Sequence, residues 1–369
     1  MRKYKKSLMV SLALLSVVLI AIAGCAPAAA PAPSGNDAAP APAAPAPAPE
    51  TVYRWTAVGI HTPGEAASAW EQELMDVIEE ASGGRIQIDL HPIGALVPPF
   101  ETFDAVATGA IDLSLKTSMW WGGKEPAMDI LTSLPGSFTH WYQLDFWYWE
   151  HGGIDLAREA YGKHNIYFVG PAVFGVPPIG AEIVHSHVPI RSIDDYRGLK
   201  VRSGGAAAKW FEGLGASIVP LPGPELYPAL EKRVVDAAEW VGPTLNWGLG
   251  LHEVAPYVIM PGLHTPLMQN EVAVNMDSWN ELPPDLQKIV ELAAKEYSRM
   301  RAMHHESLDH HYLQEMRDYG VEIIEWTPEE IARGMEYSRS LWEDFAVDDL
   351  SRRALDSQME YMKMIGLIE

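Results

Sequence analysis

An α/β fold in two lobes, with one long helix bracing both, is what the sequence predicts, and three observations carry it. The chain has 369 residues, more than one small core holds and enough for two lobes of about 150 residues each. Past residue 50, strand-like and helix-like patterns alternate. Near the C-terminal end, one helical run is too long to belong to a single lobe.

Val52 to Ile60 reads as the first strand. Trp70, Leu74, Val77 and Ile78 then share one face of a helix that opens near Thr62-Pro63-Gly64-Glu65 and stops at Gly83-Gly84. Ile86, Ile88 and Leu90 alternate as a second strand. Phe103 to Ala107 reads as a short helix and Ile111 to Leu115 as a third strand. This β-α-β-α-β order opens a lobe built on a largely parallel sheet. Later strands are expected at Ile166 to Val169, Lys200 to Arg202, Ala216 to Val219, Ala237 to Trp240, Glu271 to Met276 and Val321 to Trp326. Asp285 to Tyr319 is the long helix, roughly 50 Å at about 1.5 Å per residue. Pro283 and Pro284 open it, Gly320 closes it, and Leu286, Ile289, Val290, Ala293, Tyr297 and Met300 share one face. There is no internal repeat.

The first fifty residues differ from the rest. Arg2, Lys3, Lys5 and Lys6 precede an apolar run from Leu8 to Ala23, shorter than the roughly 20 residues of a spanning helix. The run ends Ile22-Ala23-Gly24-Cys25, which resembles a bacterial lipobox, and Cys25 is the chain's single cysteine. Residues 1–24 are therefore expected to be a lipoprotein signal peptide, and Cys25 the lipidation site. Ala26 to Glu50 is nearly all Ala and Pro, a composition that buries no core and serves as a semi-stiff spacer. The body then spans 51–369. It should sit outside the cytoplasm, periplasmic or on the outer face of the cell membrane, touching the membrane only through the lipid.

The formal charge is −22 at pH 7, and no basic run follows residue 6. So acidic a chain is a poor partner for nucleic acid. One cysteine excludes an internal disulfide and a thiolate metal cluster.

Two segments could carry chemistry. Asp194 to Gly205 ends a strand in Arg202 and continues through Ser203-Gly204-Gly205 into a helix. A guanidinium fork beside exposed helix N–H groups suits a carboxylate; the plainer reading is an ion-paired surface arginine. The second segment runs from Pro222-Gly223-Pro224 through Ala237-Ala238-Glu239-Trp240-Val241-Gly242-Pro243.

Together these residues resemble the solute-binding proteins of tripartite ATP-independent periplasmic (TRAP) transporters, the DctP type. The resemblance covers about Thr51 to Ser298. It rests on Gly109-Ala110-Ile111-Asp112, on the Asp-x-x-Gly-Leu-Lys-x-Arg segment ending at Arg202, and on Ala237 to Pro243. With Trp120-Trp121-Gly122-Gly123-Lys124 and Pro261-Gly262, the pattern is similar to the branch that binds 2-oxo acids and lactate. The resemblance implies a two-lobed periplasmic-binding-protein-like fold, with lobe 1 at approximately 51–170 plus 241–275 and lobe 2 at approximately 171–240 plus 276–369. It implies that Arg202 clamps a ligand carboxylate. It implies that Glu239 and the Trp240 carbonyl hold a metal cation, Ca2+ or Na+, and that His264 and Thr265 supply further pocket contacts. It also implies membrane permease subunits as partners.

One residue departs from the pattern. Glu182 stands where many family members carry Arg or Gln, and a carboxylate there repels an anionic ligand. Either a divalent ion lies between Glu182 and Glu239, or the ligand carries positive charge, or the correspondence shifts around Pro177-Pro178.

Other signals are discounted. His304-His305-Glu306 and His310-His311 lack the His-Glu-x-x-His spacing of a metalloprotease and read as a solvated helix face. Trp141, Trp147 and Trp149 read as a buried amphipathic helix. Trp120 and Trp121 follow a strand's carboxyl end, where α/β sheets place ligands, and are expected in the pocket. The overall expectation is a binding protein, not an enzyme, for a small 2-oxo or 2-hydroxy monocarboxylate. The alternatives are a secreted carbohydrate-active lipoprotein hydrolase and a binding lipoprotein that serves a sensor.

Overall fold

The computed structural model describes residues 51–132 and 134–369. The expected signal peptide, Cys25 and the Ala/Pro spacer lie outside the described residues. Among the described residues no helix is long and apolar enough to cross a membrane.

Two mixed sheets form the frame. The eleven strands are β1 Tyr53–Val58, β2 Ile86–His91, β3 Leu113–Ser114, β4 Ile166–Phe174, β5 Val184–Ser186, β6 Lys200–Arg202, β7 Ser217–Ile218, β8 Ala237–Glu239, β9 Tyr257–Met260, β10 Met268–Asn275 and β11 Glu322–Glu325. The first sheet has the order β2-β1-β3-β10-β4 and the second β11-β9-β5-β8-β6-β7. The opening β-α-β-α-β unit forms as the periodicity predicts, with β1 parallel to both β2 and β3. Each sheet then takes antiparallel members: β10 lies between β3 and β4, and β5 between β8 and β9.

β5 and β9 escape the pattern reading for physical reasons. β5 has only three residues, too few to show alternation. β9 is a short apolar run closed in by Pro256 and Pro261. Missing β9 also misplaces a lobe boundary. Residues 241–275 do not return to the first lobe together: β9 pairs with β5 in the second sheet, and only β10 joins the first. The C-terminal segment divides likewise. β11 belongs to the second sheet, whereas Trp342, Phe345, Leu350, Leu355 and Met362 pack into the first lobe's core with Phe138, Trp147 and Tyr148. Burying that apolar face draws the last helix, Asp349–Met364, back across the molecule.

The long helix, Pro284–Tyr319, ends at Gly320, whose φ of 108° is a left-handed conformation that glycine adopts without strain. It packs on β4 in the first lobe and on the helix Pro243–Gly248 in the second. The chain also crosses between sheets from β4 to β5 and from β9 to β10. These two crossings touch, with the Gly262 N–H donating to the Ile179 carbonyl at 2.9 Å. A side chain at 262 would strike the Glu182 carbonyl, so glycine there lets the Glu182 backbone pass close by.

His185, on β5 between β8 and β9, is wholly buried. Burial pushes its imidazole down from 6.5 to about 3. The unfolded chain therefore takes a proton near pH 6.5 that the folded chain refuses until about pH 3. Stability is full above pH 6.5 and falls as pH drops toward 3. Between pH 7 and 5, His185→Leu should lose about 2 kcal/mol less stability than the parent in urea unfolding. Equal losses would contradict the assignment.

Candidate functional site

The strand ends decide where side chains converge. In the second lobe β6 and β8 run parallel, with Arg202 beside Ala238, so Arg202 and Glu239 end their strands at the same edge. β5 runs antiparallel to β8 with Val184 opposite Glu239, which brings Glu182 to that edge from the other direction. In the first lobe the carboxyl ends of β1 and β3 lead to Ile60, His61, Thr117, Met119 and Trp120, and the start of β10 brings Met268 and Asn270. A small inner cavity is lined by these residues together with Glu182, Arg202, Gly204, Trp240 and Val241. A larger outer chamber shares Met119, Trp120, Arg202 and Gly204 with it and extends to Phe100, Asp129, Lys209 and Leu221.

Arg202 is buried and held on three sides. Its Nε donates to the Leu221 carbonyl at 2.8 Å. Its Nη1 donates to the Glu239 carbonyl at 2.9 Å and to Glu239 Oε2 at 3.0 Å. The guanidinium lies over the Trp240 ring, 4.8 Å from its centre. Nη2 makes no hydrogen bond to a described residue.

Glu182 and Glu239 are both enclosed. Burial, then the charge of Glu239, holds the Glu182 carboxyl well above the ordinary range. Burial also raises Glu239, against the opposing pull of Arg202. One guanidinium therefore faces two carboxyl groups. Glu182 Oε2 and Glu239 Oε1 are buried without a hydrogen-bond partner, and such atoms in a dry site are costly unless a proton or a cation meets them.

These orphaned oxygens fit a hard cation. Two carboxylates with the Trp240 carbonyl make an oxygen donor set of the kind Ca2+ or Na+ takes. No group of three or more His, Cys, Asp or Glu side chains is placed to hold a metal among the described residues. The donor set is thus short of a full shell, and oxygens from a bound ligand would complete it.

Some expected residues stand elsewhere. Trp121 is not in the pocket: it is buried in the first lobe's core, 5.4 Å from the Phe103 ring, because the short helical turn Ser118–Trp121 points its neighbour Trp120 outward instead. Trp120 does line both chambers. His264 and Thr265 support the site from behind. His264 Nε2 lies 3.9 Å from Glu182 Oε2, its ring sits against Trp210 and Phe211, and burial lowers it to about 3. The Thr265 carbonyl accepts from the Ala181 and Glu182 N–H groups. Glu239 likewise reaches the site through Arg202 rather than lining the cavity. Trp147 is buried in the first core, so the Trp141–Glu150 helix is a packing element and gives no support to a sugar-stacking hydrolase.

The solvated reading of the histidine helix is corrected at His305. Tyr297, Arg301, His305 and Asp309 recur every four residues and are all buried. That spacing continues the apolar face and was the available signal. Arg301 Nη2 approaches His61 Nε2 at 3.3 Å, while His61 Nδ1 meets Glu65 at 3.2 Å. His305 stacks on Phe174 and lies 3.4 Å from Asp309. Asp309 accepts from the Thr244 N–H at 3.0 Å and its hydroxyl at 2.5 Å, fixing the helix that follows Trp240. The long helix thus buttresses the cavity wall of both lobes.

Residues 61–349 match the family described as bacterial extracellular solute-binding protein, family 7, DctP. The chain is 29% identical over 282 residues to a monocarboxylate 2-oxoacid-binding periplasmic protein of Nostoc sp. (strain PCC 7120), covering 76% of each. Among solved structures it is similar to a TRAP transporter solute-binding protein from Bordetella bronchiseptica with copurified calcium and picolinate, at TM-score 0.78 and 26% identity over 86% of this chain and 93% of that one. It is also similar to one from Pseudoalteromonas atlantica with bound sodium and pyruvate, at TM-score 0.76 and 27% identity over 86% and 96% of the two chains. The buried arginine at a strand end, the two-sheet frame and these likenesses agree: the chain belongs to the DctP family of bacterial extracellular solute-binding proteins.

Proposed function

We propose that this protein captures a small organic acid, a 2-oxo or 2-hydroxy monocarboxylate, between its lobes and delivers it to a TRAP-type membrane permease. The observation that carries this reading is the Arg202 guanidinium at the cavity wall, one nitrogen unused, beside two buried carboxyl groups with orphaned oxygens. Arg202 takes the ligand carboxylate. Glu182, Glu239 and the Trp240 carbonyl would hold a cation, whose charge offsets the repulsion between two carboxylates and an anionic ligand. The relatives bound to pyruvate or picolinate together with sodium or calcium support that pairing.

Selectivity comes from contacts made by both lobes at once. Ile60, Thr117, Met119, Trp120 and Asn270 belong to the first, and Glu182, Arg202, Trp240 and Val241 to the second. A ligand favours the closed state only to the extent that it binds both sets better together than apart. Such a cycle needs binding and release without turnover, and we read the protein as a carrier rather than a catalyst. Cys25, in its lipobox-like setting, would anchor the carrier to the membrane's outer face. Cys25→Ser should release the protein from membranes into the soluble fraction, and retention at the membrane would refute the anchor.

Calorimetry tests the central reading. Exhaustive chelation should abolish acid binding, and Ca2+ should restore it better than Na+. Undiminished binding with only Na+ present would refute the divalent form. Binding with no cation at all would refute the cation bridge. Arg202→Ala should weaken acid binding by about 2–4 kcal/mol, roughly 30- to 1000-fold. Arg202→Lys keeps a charge beside Glu239 yet should recover little, because a point charge lacks the fork. Acid binding by either variant at parental affinity would overturn the Arg202 assignment.

A further inference from the structure

The second lobe's charged groups account for the ligand's carboxylate and leave open what the first lobe reads. Three polar side chains of the first lobe line the inner cavity: His61, Thr117 and Asn270. Both ring nitrogens of His61 are engaged, one by Glu65 and the other by Arg301. The Thr117 hydroxyl donates to the Gln269 carbonyl, at a long 3.5 Å. Asn270 is different. The residue is 3% exposed, its side chain makes no hydrogen bond to any described residue, and Oδ1 is buried without a partner.

This is not a loose strand end. Asn270 pairs through its backbone with Ala172 on β4 and with Thr117, so its position is fixed from both sides. The strand's alternation explains its direction. Met268 and Asn270 face the cavity, whereas Gln269 and Glu271 face the first lobe's core, where Gln269 accepts from Ser118 at 3.0 Å and Glu271 bonds Tyr161. On that strand's other face Gln269 and Glu271 each find a side-chain partner within the protein, with only Gln269 Nε2 left over, whereas no atom of the Asn270 carboxamide finds one. A carboxamide held rigidly, enclosed and unpaired is built for a group the protein does not itself supply.

We infer that Asn270 is the first lobe's specificity contact, its carboxamide reading the oxygen on the carbon next to the ligand's carboxylate. This rests on the proposed binding of organic acids at the same cavity. Arg202, from the opposite lobe, matches the carboxylate in charge and geometry. The neutral carboxamide offers Nδ2–H to a keto oxygen or a hydroxyl and Oδ1 to a hydroxyl's proton, and it adds nothing for a bare methylene. A site whose polar group expects a ligand oxygen rejects the analogue that lacks it, because the buried group is then left unpaired. Asn270 therefore makes the cavity selective for 2-oxo and 2-hydroxy acids over unsubstituted acids of the same length.

The test is calorimetric titration of pyruvate, lactate and propionate, with Ca2+ present, into the parent protein and its Asn270→Leu and Asn270→Ser variants. Melting temperatures establish that each variant is folded. Asn270→Leu should weaken pyruvate and lactate at least tenfold more than propionate, collapsing the parent's preference. Asn270→Ser, which keeps a short hydroxyl, should fall between the two, and it carries the same ratio should the leucine variant not fold. Equal losses for all three acids, or an unchanged pyruvate-to-propionate ratio, would overturn the assignment. Absence of acid binding by the parent protein would instead overturn the proposed function, so the two failures are distinguishable.

Discussion

Two buried carboxyl groups share one guanidinium at the edge of the second sheet, and the rest of the site follows from that imbalance. Arg202 satisfies one oxygen of Glu239 and the Glu239 carbonyl. Glu182, with burial and a neighbouring negative charge both against it, cannot ionise cheaply alone. Under the proposed function a cation would make both carboxylates useful, and an acid would complete the cation's oxygen shell while its own carboxylate met Arg202. Neither ion nor acid is well matched to the site without the other. The departure at Glu182, which repels an anion when taken alone, thereby becomes a reason for binding the two as a pair.

The frame exists to bring these ends together. Parallel β6 and β8 align Arg202 with Glu239, and the reversed β5 supplies Glu182 from the opposite direction. The two crossing segments meet at Gly262, close enough that no side chain fits there. Behind the cavity, Arg301 on the long helix holds His61 on one side and Asp309 holds the Thr244 turn on the other. These contacts give the helix a role beyond length. It ties the two walls of the cavity to one rigid element.

Much of this was legible in the sequence where local pattern and tertiary role coincide. The opening β-α-β-α-β unit, the long helix with its Pro and Gly boundaries, and Arg202 at a strand end before Gly-Gly all announce themselves locally. What stayed hidden depends on pairing across the chain. β5 is too short to alternate, and β9 shows no period of its own. Nothing near Trp342 indicates that the last helix returns to the first lobe. Trp120 and Trp121 are adjacent and identical in type, yet a single helical turn sends one to the pocket and the other to the core. Asn270 lies in the polar run Gln269-Asn270-Glu271, just ahead of the strand the sequence predicts, and its significance emerges only when its neighbours' partners are known. Asp309 and His305 were readable from their four-residue spacing with Tyr297 and Arg301, a period that outweighs the polarity of the individual residues.

The account turns on acid and cation being recognised as a unit. Native mass spectrometry of the purified protein, titrated with pyruvate and Ca2+ or Na+, tests this most directly. It should show the bare chain and a complex heavier by one acid plus one cation, with no appreciable population carrying the acid by itself. A substantial acid-only complex would contradict the account.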